Sequence, residues 1–321
     1  MGFLKSAIRN PKSEIAMNEV EIGGIERELS RLWSELAHPQ PGDAQAAPVL
    51  RTCTLNLVVA GCGGEQADVA PLLAEVAVRH PARCIVVVGD GEGERPRAWV
   101  NITCHAAGRG QQQVCSERLI LQAPAGALQQ VIGSVAGLLV ADLPAFLWWR
   151  GRPPASDLEK ERFNRLARVV DRVVLDSASF SGEELAGAAE LVRAYPRLAF
   201  GDLNWARLTS WRAAVAQVFD PPAMQAQLAS LSRARIAHPG GEPSAAVRLL
   251  AGWLQSRLQP PPEVETTGSD AEVVEIDLAG GTIRVPRPAP PTDAQALSEE
   301  LRIVGRDAVF EQALSAATTE D

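Results

Sequence analysis

The chain has 321 residues, 46% of them hydrophobic and 22% charged, enough for two ordinary domains or one large domain with additions. A formal net charge of -8 gives no electrostatic reason to expect nucleic acid or an anionic membrane as partner. No apolar run approaches the ~20 residues that span a bilayer, and the N-terminus lacks the pattern of a secretory signal, so a cytoplasmic location is expected.

Ile25, Leu29, Leu32, Trp33 and Leu36 recur at helical spacing in "IERELSRLWSEL" and predict an amphipathic helix that needs a surface to pack on. The stretch from Pro39 to Pro48, rich in Pro, Gly, Gln and Ala, reads as a linker, so residues 1–50 form a helical arm docked on its own body or on a partner. From Thr52, "TCTLNLVVA", "DVAPLLAEVAVRHP" and "CIVVVGD" give strand, helix and strand, a βαβ unit. "AWVNITCH" and "QVCSERLIL" follow as a hairpin around "AAGRGQQ". "AGALQQVIGSVAGLLVA" is a helix that ends before Leu143-Pro144.

The strand "AFLWWR" comes next, then a helix over about 157–169, the strand "RVVLDS", a helix over about 182–194 and the short strand "LAFGD". Such alternation implies parallel strands with right-handed crossovers. Residues 51–220 are therefore read as an α/β domain: a mostly parallel sheet with flanking helices and an inserted antiparallel hairpin. Helices dominate afterwards, in "ARLTSWRAAVAQVF", "PPAMQAQLASLSRAR" and "PSAAVRLLAGWLQSRL". "EVVEIDLAGGTIRVPR" reads as a hairpin with an Ala-Gly-Gly turn, and "TDAQALSEELRIVGRDAVFEQALSAA" as one closing helix with Gly305 near its middle. Residues 221–321 thus form an α+β extension.

Cysteine and histidine supply little chemistry. The five cysteines contain no CxxC pair, so no zinc ribbon is indicated. Cys104 and Cys115 flank the hairpin loop and are the pair placed to meet, although a reducing cytosol argues against a standing bond. His80, at the end of a predicted helix, is read as structural. No Ser/His/Asp or Cys/His arrangement has recognisable spacing.

"VVAGCGGEQ" is a strand running into Gly61, Gly63 and Gly64 before a helix, with Asp90 at the end of the next strand. Glycines there would let backbone approach a phosphate, and the acid would bind ribose hydroxyls. Gln66 replaces the third glycine of the dinucleotide fingerprint, however, and a glycine-rich turn needs no ligand to justify it.

Parallel strands place their carboxyl ends on one edge, where open α/β sheets bind ligands. Trp149 and Arg150, then Asp176 and Ser177, then Asp202, Asn204 and Trp205 are expected along that edge. Asp, Ser and Asn after a strand also serve as turns and helix caps. The tryptophans weigh against that simpler account, because four of the seven in the chain sit in "LWWRG" and "DLNWARLTSWR". Trp149 with Arg150, and Trp205 with Arg207, Trp211 and Arg212, have the composition of interface hot spots. Strand geometry sends Trp148 and Trp149 to opposite faces, with Trp149 read as the outward one and Arg207 and Trp211 on one helix face.

In order along the chain, "RHPARCIVVV", "VCSERLIL", "DLPAFLWWRG", "RVVLDSASF", "FGDLNWARLTSWRAAVAQVFD" and "IVGRDAVFEQAL" resemble the bacterial OpcA family of glucose-6-phosphate dehydrogenase assembly proteins. The resemblance implies a non-catalytic protein without a cofactor. It would bind glucose-6-phosphate dehydrogenase, promote its active oligomer and support the oxidative pentose phosphate pathway. The aromatic and basic edge is then the expected contact. The alternative is an enzyme or sensor binding a nucleotide or sugar phosphate at that edge.

Overall fold

The computed structural model describes residues 17–37, 49–61, 69–89, 95–107, 112–231, 233–239, 241–258, 266–268, 272–278 and 281–319. It divides into two compact units, Met1–Val173 and Val174–Asp321. The division falls inside the stretch 51–220 that the sequence reads as one α/β domain.

The first unit contains, in chain order, β1 (Asn18–Val20), α1 (Ile25–Ala37), β2 (Val49–Arg51), β3 (Leu55–Gly61), α2 (Ala70–Ala77), β4 (Ala82–Gly89), β5 (Arg97–Ala107), β6 (Gln112–Ala123), α3 (Leu128–Leu138), β7 (Ala145–Arg150) and α4 (Asp157–Ala167). Its strand order is β1-β5-β6-β4-β3-β7, with β2 also paired to β6. β6, β4, β3 and β7 run parallel, and β5 closes an antiparallel hairpin onto β6. The α/β class with its inserted hairpin holds, and the second hairpin strand is itself a member of the parallel run.

Residues Leu55 to Ala60 of β3 are all buried, the continuous apolar pattern of a strand covered on both faces. The polar exception is Asn56, whose amide donates to Val140 O at 3.0 Å and accepts from Val140 N at 2.8 Å. It satisfies its own buried groups by holding the loop that leads into β7. At the start of the next strand, Asp171 ties itself to Ala145 through N to O and Oδ2 to N, both at 2.8 Å.

The helix of the arm docks on its own body, because α1 packs against β5; the linker read over 39–48 lies outside the described residues. Its apolar face buries Ile25, Leu29 and Leu32. Trp33 Nε1 donates to Glu117 Oε1 at 2.6 Å, Arg83 Nε bonds Glu117 Oε2 at 2.6 Å, and Arg83 Nη1 reaches Glu26 at 2.6 Å and Leu138 O at 2.8 Å. Arg83 and Glu117 are 4% and 3% exposed, so each charge depends on the other. Cys104 and Cys115 stand opposite one another in the hairpin, with Cα atoms 4.0 Å apart, and are joined as a disulfide; hairpin register overrode the expectation of free thiols. Cys84 is buried, which pushes its thiol up to about 12 and leaves it inert as a nucleophile.

β8 (Arg172–Leu175) carries the chain into the second unit. There follow α5 (Gly182–Ala194), β9 (Ala199–Asp202), α6 (Leu203–Arg207), α7 (Thr209–Gln217), α8 (Pro222–Gln227), β10 (Arg233–His238), α9 (Ala245–Arg257), β11 (Thr266–Gly268), β12 (Val273–Leu278), β13 (Gly281–Pro286), α10 (Asp293–Glu300) and α11 (Ala308–Ala317). β8 and β9 are neighbours, and a separate sheet has the order β11-β10-β12-β13. Within that sheet β12 pairs antiparallel with β10 and β13, whereas β11 is parallel to β10.

Two helical expectations change here. The helix α8 ends at Gln227 and Arg233 to Arg235, read as helical, instead open β10, where Ala234 and Ile236 are buried at alternate positions. The closing helix splits into α10 and α11, because Asp307 accepts from Val309 N and Phe310 N at 3.0 Å and starts a new helix just after Gly305. α9 and α11 pack at Gly252, where a Cβ would lie 2.1 Å from Ala313 O. Only glycine permits so close a crossing.

Candidate functional site

In the second unit the polar residues that follow β8 and β9 join one another. Asp202 Oδ1 accepts from Asn204 N at 2.8 Å and from Ser177 N at 3.0 Å, while Asn204 Nδ2 donates to Ser177 Oγ at 3.2 Å. All three residues are buried. Burial raises the Asp202 pKa above the ordinary carboxylate value, and the bonds from Ser177 and Asn204 offset part of that rise. The arrangement is a closed knot between two strand ends.

Asp176 accepts a two-pronged contact from Arg207, Nη1 to Oδ1 at 2.7 Å and Nη2 to Oδ2 at 3.0 Å. Arg207 Nη2 also donates to Asp293 Oδ1 at 2.8 Å. Burial alone would lower the Arg207 pKa; the two carboxylates outweigh it and the net shift is upward. The guanidinium is a permanent cation that bridges acids 117 positions apart in sequence, 176 and 293.

The tryptophans of this unit are internal. Trp205 is 2% exposed, donates Nε1 to Asp307 Oδ2 at 3.1 Å and lies 5.9 Å from the Phe310 ring. The Arg212 guanidinium stacks 3.4 Å from the Trp205 ring centroid and donates to Trp205 O and Thr209 Oγ1. Burial lowers the Arg212 pKa to about 10, which leaves it charged at neutral pH. Trp211 is 1% exposed and donates Nε1 to Val285 O at 3.1 Å. Arg207 and Trp211 do not share a single helix, because α6 ends at Arg207 and α7 begins at Thr209, with Leu208 buried between them.

In the first unit β7 reverses one expectation. Trp148 and Arg150, two apart, share a face, and the Arg150 guanidinium lies 5.2 Å from the Trp148 ring centroid. Trp149 points to the other face, where it meets Phe163 of α4 edge-on at 5.2 Å and donates Nε1 to Arg152 O at 3.1 Å. Trp148 and Trp149 are 4% and 1% exposed, so the outward placement read for Trp149 does not hold; both faces of β7 are covered. Gly61 closes β3 beside β7, and a Cβ there would lie 2.0 Å from Arg150 O. Strand pairing alone therefore demands this glycine. Gly63, Gly64 and Asp90 lie outside the described residues.

Asp293, Asp307, Phe310 and Val285 were not singled out in the sequence, yet they hold Arg207, Trp205 and Trp211. Asp293 follows the capping threonine of α10 and Asp307 caps α11, so their local pattern signals helix starts and nothing more. Among the described residues no cluster of His, Cys, Asp or Glu could hold a metal ion, and no helix is long and apolar enough to cross a membrane.

Residues 74–191 match the family described as the glucose-6-phosphate dehydrogenase subunit N-terminal domain, and residues 198–314 match its C-terminal domain. This chain belongs to the OpcA family. A relative from Nostoc punctiforme named "Putative OxPP cycle protein OpcA" is 35% identical over 243 residues, covering 68% of this chain and 51% of that protein. One of the same name from Synechocystis sp. is 30% identical over 188 residues, covering 57% of this chain and 38% of that protein. The chain spans about half the length of the first of these OpcA relatives and less of the second. The two family matches cover β7, the Asp202 knot and the caps of α10 and α11.

Proposed function

We propose that the chain is a non-catalytic cytoplasmic subunit that binds glucose-6-phosphate dehydrogenase, favours its active oligomer and supports the oxidative pentose phosphate pathway. The observation that carries this reading is the pair of family matches, each described as part of a glucose-6-phosphate dehydrogenase subunit. Activation of this kind requires tighter binding to the active form than to the inactive one, and a difference of ~1.4 kcal/mol gives a tenfold shift in population.

Arg150 in the first unit and Asp176, Arg207 and Arg212 in the second are the proposed contacts, since each is only part-buried. Trp148 backs Arg150 and Trp205 backs Arg212 from within, whereas Trp149, Ser177, Asp202, Asn204 and Trp211 are buried and are not themselves proposed as contacts. Stacking on an indole and a carboxylate bridge hold an arginine in one geometry before a partner arrives, which lowers the ordering cost of binding. The carboxylates Asp176 and Asp202 are engaged by internal donors, which favours recognition over acid–base chemistry. The test is size-exclusion chromatography of the full chain mixed with its cognate dehydrogenase, together with dehydrogenase kinetics. Co-elution with a changed apparent substrate affinity is expected; separate elution at micromolar concentrations with unchanged kinetics refutes the proposal.

A further inference from the structure

A cleft of about 130 Å³ opens in the first unit at the carboxyl ends of β3, β4 and β7, lined by Gly61, Gly89, Leu128, Trp149, Arg162 and Leu166 among others. β4 lies on one side of β3 and β7 on the other, so the chain order reverses there. This is the point at which open α/β sheets leave a crevice for ligands. Two glycines at the strand ends keep the floor low. At Gly89 a Cβ would come within 2.8 Å of a Leu128 methyl carbon.

The cleft's chemistry is set by Arg162. Its Nε is buried and has no hydrogen-bond partner among the described residues, and no ion pair joins it to any of them. Arg165, one turn along α4, is by contrast paired to Glu161 at 2.8 Å. A buried guanidinium N–H without an acceptor is costly, and such a group in a cavity is suited to an incoming anion. The start of α3 adds to this positive potential. Ala125 and Leu128 line the same cleft, and α3 has neither a side-chain cap bond at Ala127 nor an acidic residue in its first turn. Trp149 and Leu128 supply apolar walls.

Size narrows the ligand. A buried cavity of ~150 Å³ accepts one benzene, so this cleft takes one phosphate group and the carbon next to it. We propose that it binds the phosphate end of a small phosphomonoester metabolite, with Arg162 as the anchoring cation. The proposal stands independently of whether the chain binds a dehydrogenase.

The test is isothermal titration of the full chain with glucose 6-phosphate, inorganic phosphate, unphosphorylated glucose and acetate. Saturable binding of the first two, none of glucose or acetate, and at least about tenfold weaker phosphate binding in Arg162→Gln support it, provided Arg165→Gln binds normally. Gly89→Ala, which raises the floor, is expected to weaken binding as well. Should Arg162→Gln fail to fold, the unaltered chain decides the matter: phosphate must shield Arg162 from phenylglyoxal, read by peptide mass spectrometry. No phosphate binding, equal binding by Arg162→Gln, equal binding of acetate, or no shielding each overturns the proposal.

Discussion

The two units treat their strand ends in opposite ways. In the second, every polar residue singled out after β8 and β9 is met by an internal partner: Asp202 by Ser177 and Asn204, Asp176 by Arg207, Trp205 by Asp307. In the first, β3 and β4 end in Gly61 and Gly89, and a cleft remains beside an arginine whose Nε is unmatched. A polar side chain after a strand is thus no sign of an open site. Where donors lie two residues ahead or arrive from a later helix, the polar group closes on itself; where glycine leaves a floor, space and an unmatched donor persist.

The contrast is broken most severely through the buried indoles. Trp149→Ala in the first unit and Trp211→Ala in the second should each cost about 3–5 kcal/mol, the range for deleting a large core side chain. Urea unfolding checks both, and a loss below about 1 kcal/mol would contradict their burial. Glu117→Gln should cost on the order of 3 kcal/mol, because Arg83 loses its buried counter-charge; the same unfolding curves measure it.

Arg207→Ala sharpens the comparison at the surface. It should weaken binding to the dehydrogenase by about 2 kcal/mol if Arg207 is an anchor, measured by titration calorimetry, while an unchanged affinity removes Arg207 from the contact. Asp202→Asn should alter neutral-pH stability by less than about 1 kcal/mol, since an amide Oδ1 still accepts from Ser177 N and Asn204 N. The pH profile should change instead. The folded pKa of Asp202 lies above its unfolded value, so its contribution is full below the ordinary carboxylate pKa and is lost as pH rises through the folded one. Subtracting the Asp202→Asn profile from the wild-type profile should isolate that fall. Smallest of all, Arg165→Ala breaks an exposed i,i+4 pair and should cost about 0.3–0.5 kcal/mol.

Much of the first unit was legible because its signals are local. The all-apolar runs of β3 and β4, the alternation of the hairpin and the helical period of α1 each follow from residues close in sequence. Cys104 and Cys115 were legible as facing residues for the same reason, through hairpin register. Strand period also separated Trp148 from Trp149, but the sequence could not say that α4 would bring Phe163 over Trp149 and bury the face expected to be open.

The second unit was less legible where the meaning of a residue depended on a distant one. Asp307 reads as a helix cap and is also the acceptor for Trp205; Asp293 reads as the first residue of a helix and also bridges to Arg207. The sequence by itself determined the α/β class, the order of most elements and the family, because short-range periodicity and ordered motifs are properties of neighbouring residues. The tertiary structure alone decided which aromatic faces are covered, which carboxylates are engaged and where a cavity remains, because those outcomes depend on how donors and volumes from separate elements are brought together.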